Sequence, residues 1–432
     1  MFDLVIKPSN GLKGEVALPG DKSISHRAVL CAAIAEGDTE INGFLTGEDT
    51  LNTAKAVQQM GITVQGLGTD RLVVQGKGLH GLSEPTGVLD VGNSGTGMRL
   101  LAGLLAGQNF FSVLTGDQYL VERPMGRISD PLRQMGAQID GRHGGKNAPL
   151  AIRGGSQRIK AIHYVSPVAS AQVKSALLFA GLYADGETSV TEPSKSRDHT
   201  ERMLRFFGIE VQEQGYRVTV RGKQRLFANG PHYIPADISS AAFFMVAASI
   251  VPGSDLLIKN VGVNPTRTGI IDILNAMGAD ITCLNQREQA GEPIADLRVK
   301  HKKLRGVRIA NDVIPRTIDE IPVLSVAASY AEGKTVVEDA AELRVKESDR
   351  IAAIAVELRK MGVMVTERPD GMEIMGRESL DGSICDSHGD HRIAMSMAVA
   401  GLAARGDTVV RDCGWIDTSF PGFERLLKQV AY

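Results

Sequence analysis

Six strings along this chain each open an apolar helix of small residues, and the charges placed at those openings suit the binding of anions. The strings are GDKSISHRA, GNSGTGMRL, VASAQVKSA, ADISSAAFF, IDEIPVLSV and GDHRIAMSM. In each, the helix opening carries Asp, Ser, Asn or Gly, the residue types that cap the free N–H groups of a first turn. Capping alone would account for those residues. It does not account for Lys22, Arg27, Arg99, Lys174 and Arg392, which fall in first turns where a cation opposes the helix dipole. A cation is tolerated best there when an anion sits there too. Free N–H groups, the dipole and a cation together form a site for phosphate or carboxylate. One dipole contributes only ~0.3–1 kcal/mol when exposed and ~2 when partly buried, so several starts must converge.

Other strings add to this set. GNSGTGMR (Gly92–Arg99) is a glycine-rich loop that matches neither the dinucleotide nor the P-loop pattern. Arg123 in VERPMGR is a Pro-adjacent guanidinium suited to bidentate anion binding. Ser170 and Gln172 offer neutral hydrogen bonds to hydroxyls or phosphate oxygens. In ELRVKESDR, Lys346, Glu347 and Arg350 crowd a turn before the helix IAAIAVELRK. Alone, that string suits a solvated, salt-bridged helix start. Among the other cations, its carboxylate is a candidate acid or base, and Asp319 supplies a second one.

The elements that must position these groups recur. Gly37, Gly107, Gly186, Gly253, Gly333 and Gly406 each follow a small-residue helix and precede a β-branched strand, at steps of 67 to 80 residues. Between them QQMGITV, RQMGAQI, RFFGIEV, NAMGADI and RKMGVMV mark five further helix ends, at Gly61, Gly136, Gly208, Gly278 and Gly362. Both marks fit a left-handed glycine just past a helix. Strand-like alternation at Val5-Ile6, Gly14–Leu18, Leu72–Gln75, Arg217–Val220 and Leu297–Val299 completes the pattern. The class is α/β, built from six βαβ-type repeats. Six divide most simply into two groups of three. The seam is expected in LFANGPHYIPA, giving one domain over 21–235 and another from 1–20 plus 236–432. Internal two-fold pseudosymmetry then places the site between the halves.

Bulk properties exclude other classes. The 432 residues carry a formal net charge of −2 and only 5% aromatics, with one tryptophan, so nothing advertises a nucleic-acid or membrane partner. The start MFDLVIKPSNGLKGEV lacks a secretory pattern, and no apolar run approaches the ~20 residues of a membrane span. Cys31, Cys283, Cys385 and Cys413 share no CxxC spacing and read as small buried hydrophobes. A cytoplasmic location follows.

In order, LPGDKSISHR, GNSGTGMR, ERPMGR, SAQ, SRDHTERML, DEIPVL, ELRVKESDR, GDHRIAM and TSFPGFERLL closely resemble the enolpyruvyl transferase family. Within it they resemble the branch whose acceptor is shikimate 3-phosphate, and the resemblance covers the whole chain. It implies two similar domains, each of three repeats with parallel inner helices (an inside-out α/β barrel), and an active site in the interdomain cleft. It implies transfer of the enolpyruvyl group of phosphoenolpyruvate to the 5-hydroxyl of shikimate 3-phosphate, releasing phosphate, without cofactor or metal. By matching motifs, Lys22, Ser23, Arg27, Ser170, Gln172, Arg197, Asp319 and Lys346 would hold shikimate 3-phosphate. Lys22, Asn93, Gly95, Arg123, Gln172, Arg350 and Arg392 would line the phosphoenolpyruvate site. Glu347 is expected to deliver the C3 proton and Asp319 to take the hydroxyl proton, with Lys22 the third catalytic group. Both partners are small molecules, and a monomer is expected.

Ala171, Arg197 and Thr418 depart from the best-known members and match the second subclass, often less sensitive to glyphosate. Gly95, which leaves room beside the phosphoenolpyruvate pocket, favours inhibitor binding. The nearest rival acts on a UDP-linked amino sugar and typically uses a loop cysteine, whereas the loop LTGDQYLVERPMGR carries Asp117 and no thiol. A second rival is a non-catalytic anion-binding relative.

Overall fold

A computed structural model describes residues 2–154 and 159–432. The chain divides into two compact units, one of 20–234 with 289–292, the other of 1–19, 235–288 and 293–432. The hairpin tip 289–292, expected with the second domain, therefore groups with residues 20–234. His199 and Arg202 hold it there: His199 Nδ1 lies 2.7 Å from Glu292 Oε1, and Arg202 donates to Gly291 O at 2.8 Å.

Among the described residues each unit contains three sheets and three buried helices. In 20–234 the buried helices are Lys22–Ala33, Gly95–Ala106 and Ala171–Gly181. In the other unit they are Ile238–Ile250, Ile321–Ser329 and His391–Gly401. All residues of the last three are buried. A helix apolar all round has no face for water and must lie inside its unit. Small residues let these helices approach closely. A Cβ on Gly103 would stand 2.2 Å from Ala176 O of the neighbouring helix.

The repeat is β-α-β-α-β-β. Strand Leu89–Asp90 runs through helix Gly95–Ala106 into the parallel strand Phe111–Thr115, with Leu89 opposite Leu114. Helix Gly126–Gln134 follows, then Gln138–Gly141 and Asn147–Arg153, which pair antiparallel with Ile139 opposite Ile152, and Asn147–Arg153 also pairs antiparallel with Phe111–Thr115, Val113 opposite Ala151. The last repeat differs. Strands Ile384–Asp386 and Thr408–Arg411 are parallel, but their antiparallel neighbour is Leu4–Ile6 from the start of the chain. Strand Lys13–Ala17 likewise pairs parallel with Asp255–Gly262.

The second glycine mark is the Schellman motif, five times over. Gly61 N–H donates to Gln58 O and Ile62 N–H to Val57 O, and Gly136, Gly208, Gly278 and Gly362 repeat the pair. Their φ values lie between 82° and 97°, where a side chain would be strained. The first mark differs from expectation. Gly37, Gly186, Gly253, Gly333 and Gly406 do take a left-handed φ, of 77° to 100°, but they stand past the helix ends, inside the following strand at Gly37 and just before it at the others, whereas Gly107 directly caps its helix with φ −86°. Space explains Gly107: a Cβ there would come within 2.1 Å of the Tyr183 ring. Cys31, Cys385 and Cys413 are buried, and burial pushes each thiol up to about 12, while Cys283 is half-buried. Among the described residues no helix is long and apolar enough to cross a membrane.

Candidate active site

In 20–234, side-chain caps set the starts of all three buried helices. Asp21 accepts from Ile24 N–H, Ser94 from Gly97 N–H, and Ser170 from Val173 N–H. Lys22, the first helical residue, brings Nζ to 3.1 Å from Asp49 Oδ2, and Ser23 beside it is half-buried. One turn on, Arg27 is sunk into the unit. Its guanidinium donates to Ser23 O at 2.8 Å, Thr200 Oγ1 at 2.6 Å and Ser175 Oγ at 2.8 Å. Burial pulls it down to about 10 against the carboxylates of Glu201 and Asp21, and the charge of Arg197 adds to the fall. Arg27 and Arg197 therefore feel each other's charge, an arrangement an anion relieves.

The glycine-rich loop makes a second group. Asn93 Nδ2 donates to Asp117 Oδ2 at 2.6 Å, and Arg123 donates to Asn93 O at 3.2 Å and Oδ1 at 2.5 Å. Gln172 accepts from Arg99 Nη1 at 2.5 Å and donates to Thr96 Oγ1 at 2.9 Å. A Cβ on Gly95 would lie 3.1 Å from Arg99 Nη1 and 3.3 Å from Arg123 Nη1. The loop thus brings backbone close to two guanidinium groups. Lys174 does not join them. It is fully buried, 2.9 Å from Glu192 Oε2 and 2.8 Å from Glu201 Oε1, so its charge is neutralised inside the unit.

In the other unit the acidic and basic residues form one cluster around Arg350. Asp319 lies in the short 3-10 turn Ile318–Glu320, and helix Ile321–Ser329 has no side-chain cap from its N-cap residue Glu320, with Pro322, which has no N–H to satisfy, in its first turn. The Asp319 carboxylate meets Lys346 Nζ at 3.2 Å and Arg350 Nη1 at 3.3 Å. Arg350 also holds Glu347 Oε2 at 2.6 Å and Asp390 Oδ2 at 2.7 Å, with its side chain 1% exposed. Its three carboxylate partners hold Arg350 well above the usual guanidinium range, despite burial. Burial alone would push Asp390 up, but Arg350 keeps it below the usual carboxylate range. Arg392 donates to Asp319 O at 3.0 Å.

Asp390 and Asp49 were not among the expected site residues. Asp390 reads in GDHRIAM only as a cap, which it is, accepting from Arg392 N–H. Its second role, on Arg350, depends on a partner forty positions away. The segment before that cap is held by Glu357, which accepts from Asp386 N–H at 3.1 Å and meets His388 Nε2 at 2.6 Å. The bond to Glu357 holds His388 above the usual imidazole range. The stabilisation this pair gives is complete below pH 6.5 and lost as pH rises through the raised folded value. Denaturant titrations of His388→Gln should show a stability deficit in mild acid that vanishes at alkaline pH.

Comparison with known proteins gives the fold first. The chain shares its fold with the enolpyruvyl transferase NikO from Streptomyces tendae, at a TM-score of 0.79 over 99% of this chain and 97% of that one, with 18% identity. Sequence then narrows it. A family model described as EPSP synthase (3-phosphoshikimate 1-carboxyvinyltransferase) matches residues 6–427. The chain is 59% identical to the 3-phosphoshikimate 1-carboxyvinyltransferase of Citrifermentans bemidjiense, over 100% of this chain and 99% of that protein. It is 60% identical to that of Geotalea uraniireducens, with the same coverage. A solved EPSP synthase from Acinetobacter baumannii is 48% identical, with a TM-score of 0.89 over 99% of this chain and 98% of that one. The chain belongs to the EPSP synthase family.

Proposed function

We infer that this chain transfers the enolpyruvyl group of phosphoenolpyruvate to the 5-hydroxyl of shikimate 3-phosphate and releases phosphate. It is a transferase of the shikimate pathway to aromatic amino acids. The observation that carries the mechanism is Arg350, whose single buried guanidinium gathers Glu347 and Asp319 beside Lys346. Two carboxylates in different surroundings can divide acid and base work. In the proposed reaction the Glu347 carboxyl gives a proton to C3 of phosphoenolpyruvate, leaving C2 electrophilic. Asp319 takes the hydroxyl proton as that oxygen bonds to C2. Collapse of the adduct breaks the C2–O bond to phosphate and returns a methyl proton to a carboxylate.

Lys22, Ser23, Arg27, Ser170, Gln172, Arg197, Asp319 and Lys346 are assigned to shikimate 3-phosphate. Lys22, Asn93, Gly95, Arg123, Gln172, Arg350 and Arg392 are assigned to phosphoenolpyruvate. Both substrates are polyanions, which suits the Lys and Arg groups at the helix starts. The assignment takes 21–235 and 1–20 with 236–432 as two inside-out α/β barrels of three repeats, with the active site in their cleft. It takes the protein as a cytoplasmic monomer.

The test is phosphate release with each substrate omitted in turn. Release only when both are present supports the reading. Shikimate 3-phosphate binding without release would indicate a non-catalytic relative, and release with a UDP-linked amino sugar would indicate the sister activity. Gly95→Ala adds a methyl between Arg99 and Arg123. It should raise the KM for phosphoenolpyruvate about tenfold, with that for shikimate 3-phosphate unchanged, in initial-rate measurements.

A further inference from the structure

We propose that Glu192 is a positioning residue that fixes the spacing of Ser170 and the Ser196–Arg197 turn, and with it the shape of the shikimate 3-phosphate pocket. The proposal rests on the assignment of Ser170 and Arg197 to that substrate. Glu192 follows strand Glu187–Thr191 and is buried, and its own N–H donates to Tyr216 O, so its backbone is anchored to the sheet. Its two oxygens reach in different directions. Oε1 accepts the Ser170 N–H at 2.8 Å, just where helix Ala171–Gly181 begins. Oε2 accepts from Ser196 Oγ at 2.7 Å and lies 2.9 Å from Lys174 Nζ.

One carboxylate therefore ties the cap residue of a helix to the turn that carries Arg197. Lys174, from the same helix as Gln172, supplies the countercharge and also binds Glu201. A buried ion pair of this kind is a poor source of stability, because desolvation offsets most of the attraction. What it provides is geometry: two segments far apart in sequence are held against one group.

Glu192→Gln separates this role from a merely structural one. An amide presents one acceptor and one donor, so either Ser170 or the Ser196–Lys174 side loses its acceptor. Calorimetry with shikimate 3-phosphate alone should show affinity weakened about ten- to a hundredfold. The KM for shikimate 3-phosphate should rise in parallel, while kcat and the KM for phosphoenolpyruvate at saturating acceptor stay unchanged. Glu192→Asp, too short to reach both segments, should not restore binding. If Glu192→Gln fails to fold, Ser196→Ala removes one of the bonds and should still weaken binding about tenfold. Folded variants with unchanged affinity would overturn the proposal. Arg197→Ala is the control: unchanged affinity there would refute the pocket assignment itself, whereas weakening there but not in Glu192→Gln would refute only the role of Glu192.

Discussion

Exchanging Glu347 for Gln, or Asp319 for Asn, is expected to lower kcat by about 10²–10⁴-fold, the usual contribution of a positioned acid or base. Both replacements keep an oxygen where Arg350 now donates, at 2.6 Å to Glu347 and 3.3 Å to Asp319. The cluster around Arg350 should therefore survive, and the thermal midpoint should barely move. What each variant loses is the capacity to exchange a proton at that atom. Phosphate release under saturating substrates measures the effect directly. A variant with wild-type turnover would remove its carboxylate from the mechanism.

Arg350→Met is expected to destabilise the protein by about 3–5 kcal/mol at neutral pH, because it strips the countercharge from buried carboxylates. Asp390, with its side chain fully buried, loses two hydrogen bonds from the guanidinium, and Asp319 and Glu347 lose one each. The sign of the pH dependence follows from Asp390. Arg350 lowers its folded value, so in the wild type this stabilisation is present above the unfolded value near 3.8 and lost as pH falls through the folded one. The deficit of Arg350→Met should accordingly be largest near neutral pH and shrink in acid. Chemical denaturation at several pH values checks this. A deficit independent of pH would mean that packing, and not charge, is what Arg350 contributes.

Local chemistry was the legible part of the sequence. QQMGITV and its four counterparts declare their helix ends because a Schellman motif needs only a glycine and an apolar residue after it, all within one short string. The six buried helices were readable for the same reason, since small apolar runs behind a cap need no distant partner to be recognised. IDEIPVLSV was harder. It looked like another capped start, but Pro322 removes a donor and Asp319 turns away to Lys346 and Arg350. Lys174 shows where local reading fails. In VASAQVKSA it resembles another cation at a helix opening, yet Glu192, just past strand Glu187–Thr191, and Glu201, in helix His199–Phe206, enclose it. Asp390 was hidden for the same reason, its capping role being local and its bond to Arg350 not. Pairings made by the tertiary fold leave no mark in a single string.

The most direct test is a crystal structure of Asp319→Asn with shikimate 3-phosphate and phosphoenolpyruvate, since the account stands on both anions being gripped together by the proposed basic groups. It predicts shikimate 3-phosphate on Lys22, Ser23, Arg27, Ser170, Gln172 and Arg197, the 5-hydroxyl in hydrogen-bond reach of residue 319, and phosphoenolpyruvate on Arg123 and Arg392. Either substrate seated away from these side chains, or the hydroxyl directed away from residue 319, would contradict it.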